Sequence, residues 1–216
     1  ERVNTMQALA SKWGNYSDDT ELIDALKAIP FVPQWKQELN GYWECNWEAE
    51  ARLPSSLFNW QNIGLMSALQ GTNLPAYTVP PLMRSAEWSG FLSTLGLQND
   101  LDKEGFIRVV SDIEKAGVEI ENNNESNAVD HAAIAMRGRR VLRYIKEGDR
   151  LSSLFDHELA KRTGKIAFVP VNYPVKVENG GFVEYESRVV SFEKTMSSSN
   201  GTLAFTVLPV VEDDII

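Results

Sequence analysis

The chain has 216 residues, 43% hydrophobic and 10% aromatic, with a formal net charge of −9. That length and apolar content support a buried core in one or two domains, and the 24% of charged residues is unlike a disordered linker. An acidic chain repels phosphate backbones, and no run approaches the roughly 18 apolar residues that cross a bilayer, so neither nucleic-acid binding nor membrane insertion is expected.

The single cysteine, Cys45, excludes an intrachain disulfide and fits a reducing compartment. The start at Glu1 without a methionine and the end at Ile216, after a strand-like stretch, predict a piece of a longer protein.

In chain order, Met6, Leu9, Ala10 and Trp13 form a first helical stripe ended by Gly14. Asp18 and Glu21 form a capping pair for a second helix carrying Leu22, Ile23, Leu26 and Ile29, stopped by Pro30. Asn40-Gly41 marks a hairpin within a segment that holds Trp35, Trp43 and Trp47. Ile63, Met66 and Leu69 before Gly71 predict a short helix. Ser85 caps a helix with Trp88, Phe91, Leu92 and Leu95, stopped by Gly96, and Asp102 starts another with Phe106, Val109, Val110 and Ile113, stopped by Gly117.

The polar run from Asn122 to Asn127 marks an internal boundary. Beyond it the apolar stripe changes face at Gly138, from Val129, Ala132, Ala133 and Met136 to Val141, Leu142 and Ile145, which predicts either a kink or burial between two layers. After Lys165 the texture is β, with Asn179-Gly180 between alternating runs as a second hairpin signal.

One unit occurs twice. Glu21-Leu22, Ile29 and Phe31-Val32-Pro33 align without a gap, 137 residues apart, with Glu158-Leu159, Ile166 and Phe168-Val169-Pro170. Asn40-Gly41 then matches Asn179-Gly180, Arg52 matches Arg188, and the strand-like Ala76 to Pro81 matches Ala204 to Pro209. These recurrences predict an α+β fold of short helices with small antiparallel hairpins, the second copy truncated. They set a first repeat unit at 1–125, a connecting helix at 126–150 and the start of a second unit at 151–216.

Three stretches resemble the repeats of the sacsin family: Leu26 to Pro33, Arg52 to Phe58, and Leu92 to Leu97 followed by the helix after Asp102. Those repeats carry I-P-F-[VI]-P, R-P-x-x-L-F and L-x-x-L-G-L in that order; here Leu53 stands where the family has proline. The resemblance implies a cytoplasmic, non-catalytic scaffold or interaction segment of a large multidomain co-chaperone. Its partners would be neighbouring domains of the parent chain, chaperone clients or other proteins. The family's ATP-binding module, like that of the GHKL chaperones, would lie outside this segment, so no cofactor is expected in it.

The residues support that expectation. No phosphate-cradling glycine motif and no clustered metal-ligand spacing occur. Cys45 with His131 or His157 would be needed for a Cys/His hydrolase, but the two Asp-His steps are adjacent pairs rather than dyads by spacing. The candidates for contact are the aromatics Trp35, Trp43 and Trp47, the basic cluster Arg137, Arg140 and Arg143 beside Arg139, and the equivalent Arg52 and Arg188. By analogy with GHKL chaperones, an arginine at either of the last two positions would reach a neighbouring γ-phosphate. A stand-alone peptide-binding module is a further alternative, for which an exposed sheet edge on a hairpin is expected.

Overall fold

The computed structural model describes residues 2–37, 41–122, 128–147, 150, 154, 156–177 and 183–191. The fold is α+β, with helices and two small antiparallel two-stranded sheets. It divides into two compact units, Glu1–Met66 with Asn73–Leu101, and Ser67–Thr72 with Asp102–Ile216. The polar run at 122–127 therefore falls within the second unit rather than between the two.

The first unit contains α1 (Arg2–Ala10), α2 (Thr20–Lys27), the hairpin β1 (Gln34–Gln37) and β2 (Trp43–Asn46), α3 (Ile63–Ala68, which ends in the second unit), α4 (Leu74–Tyr77) and α5 (Ala86–Thr94). Its core gathers Met6, Trp13, Leu26, Phe31, Phe91 and Leu95 with their neighbours. Trp13 meets Phe91 edge-on at 4.8 Å, and its indole N–H donates to Thr94 Oγ1 at 3.2 Å, so the one polar atom of a buried indole is satisfied. The Ser85 side chain caps α5, and Gly96, at φ +95°, closes it with a Leu97 N–H to Leu92 carbonyl bond of 2.9 Å.

Several local expectations change. The cap of α2 is Asp19, not Asp18: its side chain accepts from Leu22 N at 3.0 Å. Ile63 is exposed, and Leu65 and Leu69 take the buried places around α3, which is capped by Asn62. The expected strand from Ala76 to Pro81 begins as the helical turn α4, with Pro75 at its start, and only Thr78 forms a bridge, beside Phe58. Its counterpart, 204–209, lies outside the described residues.

The second unit packs α6 (Lys103–Asn122), α7 (Ala128–Glu147) and α8 (His157–Thr163) with the hairpin β3 (Ala167–Val177) and β4 (Val183–Ser191). Asp102 caps α6 through Gly105 N at 2.7 Å. Gly117 does not stop that helix; it lies buried within it, where an added Cβ would stand 3.3 Å from Val189 Cγ2. Helix α7 runs unbroken through Gly138, because it is covered by α6 and by both strands of the hairpin. The buried stripe is Ile134, Ala135, Gly138, Val141, Tyr144 and Ile145, whereas Val129, Ala132, Ala133 and Met136 are exposed.

The aligned stretches share a local build. Asp19 caps α2 as Asp156 caps α8, with Leu159 N donating at 2.8 Å, and Phe31 and Phe168 are both buried beyond the helix. The innermost described pairs are Gln37↔Trp43 and Val177↔Val183. Gly41 has φ +85°, and Asn40, Asn179 and Gly180 lie outside the described residues.

The copies differ beyond the turn. Pairing in β3–β4 runs from Val177↔Val183 to Ala167↔Ser191 with one-residue irregularities. In the first copy it runs from Gln37↔Trp43 to Gln34↔Asn46 and then breaks. Continuing that register would place Val32 opposite Glu48, but Val32 is opposite Arg52, so four additional residues are accommodated within 47–51.

Two exposed ion pairs tie α6 to the α8 region: Lys103 with Asp156, and Arg162 with both carboxylate oxygens of Glu104. The Leu159 N–H and the Lys103 ammonium hold the Asp156 carboxyl below its ordinary range, and Arg162 does the same for Glu104. Because both folded values are depressed, their stabilisation is complete above the unfolded carboxylate range and lost as pH falls through the folded values. We expect Glu104→Gln/Asp156→Asn to flatten the decline in stability below about pH 5, measured by urea unfolding across pH. The effect should shrink in high salt, since both pairs are solvent-exposed.

Candidate functional site

Among the described residues, exposed aromatic side chains cluster on and beside the first hairpin. Trp35, Cys45 and Trp43 share one face of the β1–β2 ladder, because Trp35 pairs with Cys45, Gln37 pairs with Trp43, and side chains two apart point the same way. Burial fades along that face toward the turn. Trp35 is 8% exposed, its indole N–H donates to Thr78 O at 2.9 Å, and the Arg84 guanidinium lies over its ring at 5.1 Å. Trp35 is therefore a packing residue, not a surface anchor. Trp43 is 42% exposed, and beyond the strand Trp47 reaches 62%. Lys36 and Glu44, on the opposite face, form an ion pair at 3.3 Å.

Asn46 shapes the loop after β2. Its side-chain oxygen accepts from both Glu48 N and Ala49 N at 3.1 Å, an Asx turn that holds Trp47 out of the ladder. Two clefts flank this loop. One, about 730 Å³, is bounded by Val3, Pro30, Pro33, Trp47 and Glu50; the other, about 610 Å³, runs along the hairpin past Gln34, Glu44, Trp47 and Glu48. Asn46 and Trp47 line both.

Arg52 is engaged in the fold. Its Nη1 donates to the carbonyls of Pro75 and Ala76 at 2.8 and 3.0 Å, and its Nη2 to those of Pro33 and Thr78 at 3.0 and 3.3 Å. The guanidinium thus ties the F-V-P segment to α4, using the planar fork that distinguishes arginine from lysine. Arg188 is half-buried opposite Val171, two positions beyond the register that Arg52 holds opposite Val32.

Within the second unit, Arg140 Nη1 donates to Gln70 O at 2.8 Å, beside Gly71, whose φ is +87°. Arg137 packs its stem and Nε on the same turn, and burial pulls its pKa down. These two arginines satisfy and cover the end of a helix rather than forming an open cationic patch. Arg143 is exposed and Arg139 half-buried on the same helix.

Cys45 is buried, and desolvation raises its pKa more than the Arg52 charge lowers it, the opposite of an activated nucleophile. It belongs to the first unit, while His131 and His157 belong to the second. Among the described residues no group of three or more His, Cys, Asp or Glu is placed to hold a metal ion, and no helix is long and apolar enough to cross a membrane.

The exposure of Trp47 was not separable from the burial of Trp35 by composition. The signal was available only in comparing the copies, where the first carries more chain between its hairpin turn and its arginine. Compared with family models, curated proteins and solved structures, the chain has no significant match.

Proposed function

We propose that this chain is a non-catalytic protein-interaction segment of a cytoplasmic, sacsin-like co-chaperone, and that the aromatic surface of its first hairpin meets protein partners. The observation that carries this reading is the contrast between Trp35, locked in the core, and the exposed Trp43 and Trp47, the latter bordering two clefts. Aromatic side chains of this kind anchor interfaces because they bury much area at little entropic cost. Arg52, Arg137 and Arg140 support the reading from the other side, since their guanidinium or stem atoms serve internal contacts. The shared local build around Asp19 and Asp156 agrees with a repeat-built scaffold.

The test is suppression of aggregation of a heat-denatured reporter enzyme, followed by light scattering. The chain is expected to delay aggregation without ATP hydrolysis, and Trp43→Ala/Trp47→Ala to lose most of that effect while keeping its far-UV circular dichroism. Full suppression by the double variant, or ATP turnover abolished by Arg52→Ala, would overturn the proposal. A hydrolase using Cys45 makes the contrary forecast of a reactive thiol. We expect Cys45 to label at least about tenfold more slowly in the folded chain than in urea, with a rate that rises with pH.

A further inference from the structure

The hairpin of the first unit contains a loop that its counterpart lacks. Between Asn46 and Arg52 the chain spends four more residues than the ladder requires, and the stretch that holds them reads Trp47-Glu48-Ala49-Glu50-Ala51. The other hairpin pairs through the corresponding region, from Val171↔Arg188 to Val169↔Val190, without an added loop. The added loop is thus not a requirement of the hairpin. It presents an indole, two carboxylates and two small apolar side chains, held by the Asx turn at Asn46.

The loop lies where the two clefts adjoin, since Asn46 and Trp47 border both. Its apolar wall is Val3, Pro30, Pro33 and Trp47. Its charged wall is Glu50 on one side and Glu44 and Glu48 on the other. Lys36 pairs with Glu44, but neither the Glu48 nor the Glu50 carboxylate has an ion-pair partner among the described residues. The surface thus combines an exposed aromatic face with uncompensated negative charge, in a chain that is acidic as a whole.

We propose that this surface binds an extended segment of a partner protein in which lysine or arginine alternates with apolar side chains. This rests on the interaction reading above and names the partner's chemistry. The apolar side chains would pack on Pro30, Pro33 and Trp47, and the cation would lie over the Trp47 ring or against Glu48 and Glu50, where ring quadrupole and carboxylates attract the same charge. Acidic segments and nucleic acids are repelled by the same groups.

The experiment is fluorescence anisotropy of fluorescein-labelled ten-residue peptides with the 216-residue chain. One peptide alternates Arg with Leu and Pro; matched peptides carry Glu or Gln in place of Arg. The Arg peptide is expected to bind and the Glu peptide not to, with affinity falling as salt rises. Trp47→Ala should weaken binding at least about tenfold, as loss of a central aromatic anchor does. Glu48→Gln/Glu50→Gln should weaken it and reduce its salt dependence.

Deleting residues 47–50, which joins Asn46 to Ala51 and restores the register to Arg52, should abolish binding and keep the far-UV circular dichroism. The proposal is overturned if no peptide binds, if the Glu or Gln peptide binds as well as the Arg peptide, or if Trp47→Ala binds like the parent chain. Should Trp43→Ala/Trp47→Ala lose aggregation suppression while no Arg peptide binds, the basic-segment proposal fails and the interaction reading stands. Peptide binding at Trp47 without any aggregation suppression keeps the hairpin as a protein-binding surface and removes the chaperone part of the reading.

Discussion

Replacing Arg52 by alanine is expected to destabilise the first unit by about 2–4 kcal/mol, because one guanidinium donates to four backbone carbonyls from two segments. Removing it leaves the carbonyls of Pro33, Pro75, Ala76 and Thr78 without that donor, and nothing else on the hairpin presents a planar pair of N–H groups at that place. Arg52→Lys should recover less than half of the loss, since an ammonium is a single point that cannot span both pairs of acceptors.

The measurement is urea unfolding followed by tryptophan emission, which reports this unit because all six tryptophans belong to it. With a slope of about 2 kcal/mol per molar urea, the midpoint should fall by about 1–2 M. Trp35 should lose its environment early in the transition, since its indole shares the Thr78 carbonyl with Arg52. If Arg52 served a neighbouring phosphate instead, Arg52→Ala would leave this transition in place.

What could be read from the sequence was the chemistry that is complete within a few residues. Ser85 and Gly96 delimit α5 as expected, because a cap and a left-handed closing residue act on their own helix. The hairpins were readable for the same reason, as short pairings around a glycine-containing turn. Gly117 and Gly138 were not, because their role depends on a hairpin that begins about 50 and 30 residues later in the chain. The apolar period over Val129, Ala132, Ala133 and Met136 is genuine, but alanine fits a surface as well as a core, and β3 and β4 cover the other side of α7.

The candidate surface divides in the same way. A concentration of tryptophan in one hairpin is visible in the sequence, and which indole is outside is decided by the ladder register and by the four-residue interruption after Asn46. Arg52 and Arg188 match in order but not in register, so an alignment of landmarks overstated their equivalence.

Gly138→Ala is expected to cost the second unit about 3 kcal/mol or more, the upper part of the range for inserting a methyl group where packing leaves no room. A Cβ at this position would stand 2.1 Å from the Phe168 carbonyl oxygen and 3.6 Å from Pro170 Cδ. The obstacle is backbone, so no rotamer change relieves it; β3 would have to move away from α7. That movement would lift Phe168, fully buried and edge-on to Phe106 at 5.5 Å, out of its contact.

Intrinsic propensity argues the other way, because alanine within a helix is favoured over glycine by about 1 kcal/mol. The sign of the result therefore decides between close packing and propensity. Two other helical glycines grade the argument. Gly90 in α5 has nothing within 4 Å of an added Cβ, so Gly90→Ala should stabilise by about 0.5–1 kcal/mol. Gly117 would meet the Val189 methyl at 3.3 Å, a side chain that can yield, and Ile134 Cγ2 at an ordinary 3.8 Å, so Gly117→Ala should fall near neutrality.

Far-UV circular dichroism in urea reads all three, with α6 and α7 dominating the signal of the second unit. The expected order of midpoints is Gly90→Ala above the parent, Gly117→Ala close to it and Gly138→Ala well below. A Gly138→Ala protein as stable as Gly90→Ala would mean that α7 and β3 are not in contact at Phe168, and the change of stripe at Gly138 would then need the kink that the unbroken helix does not have.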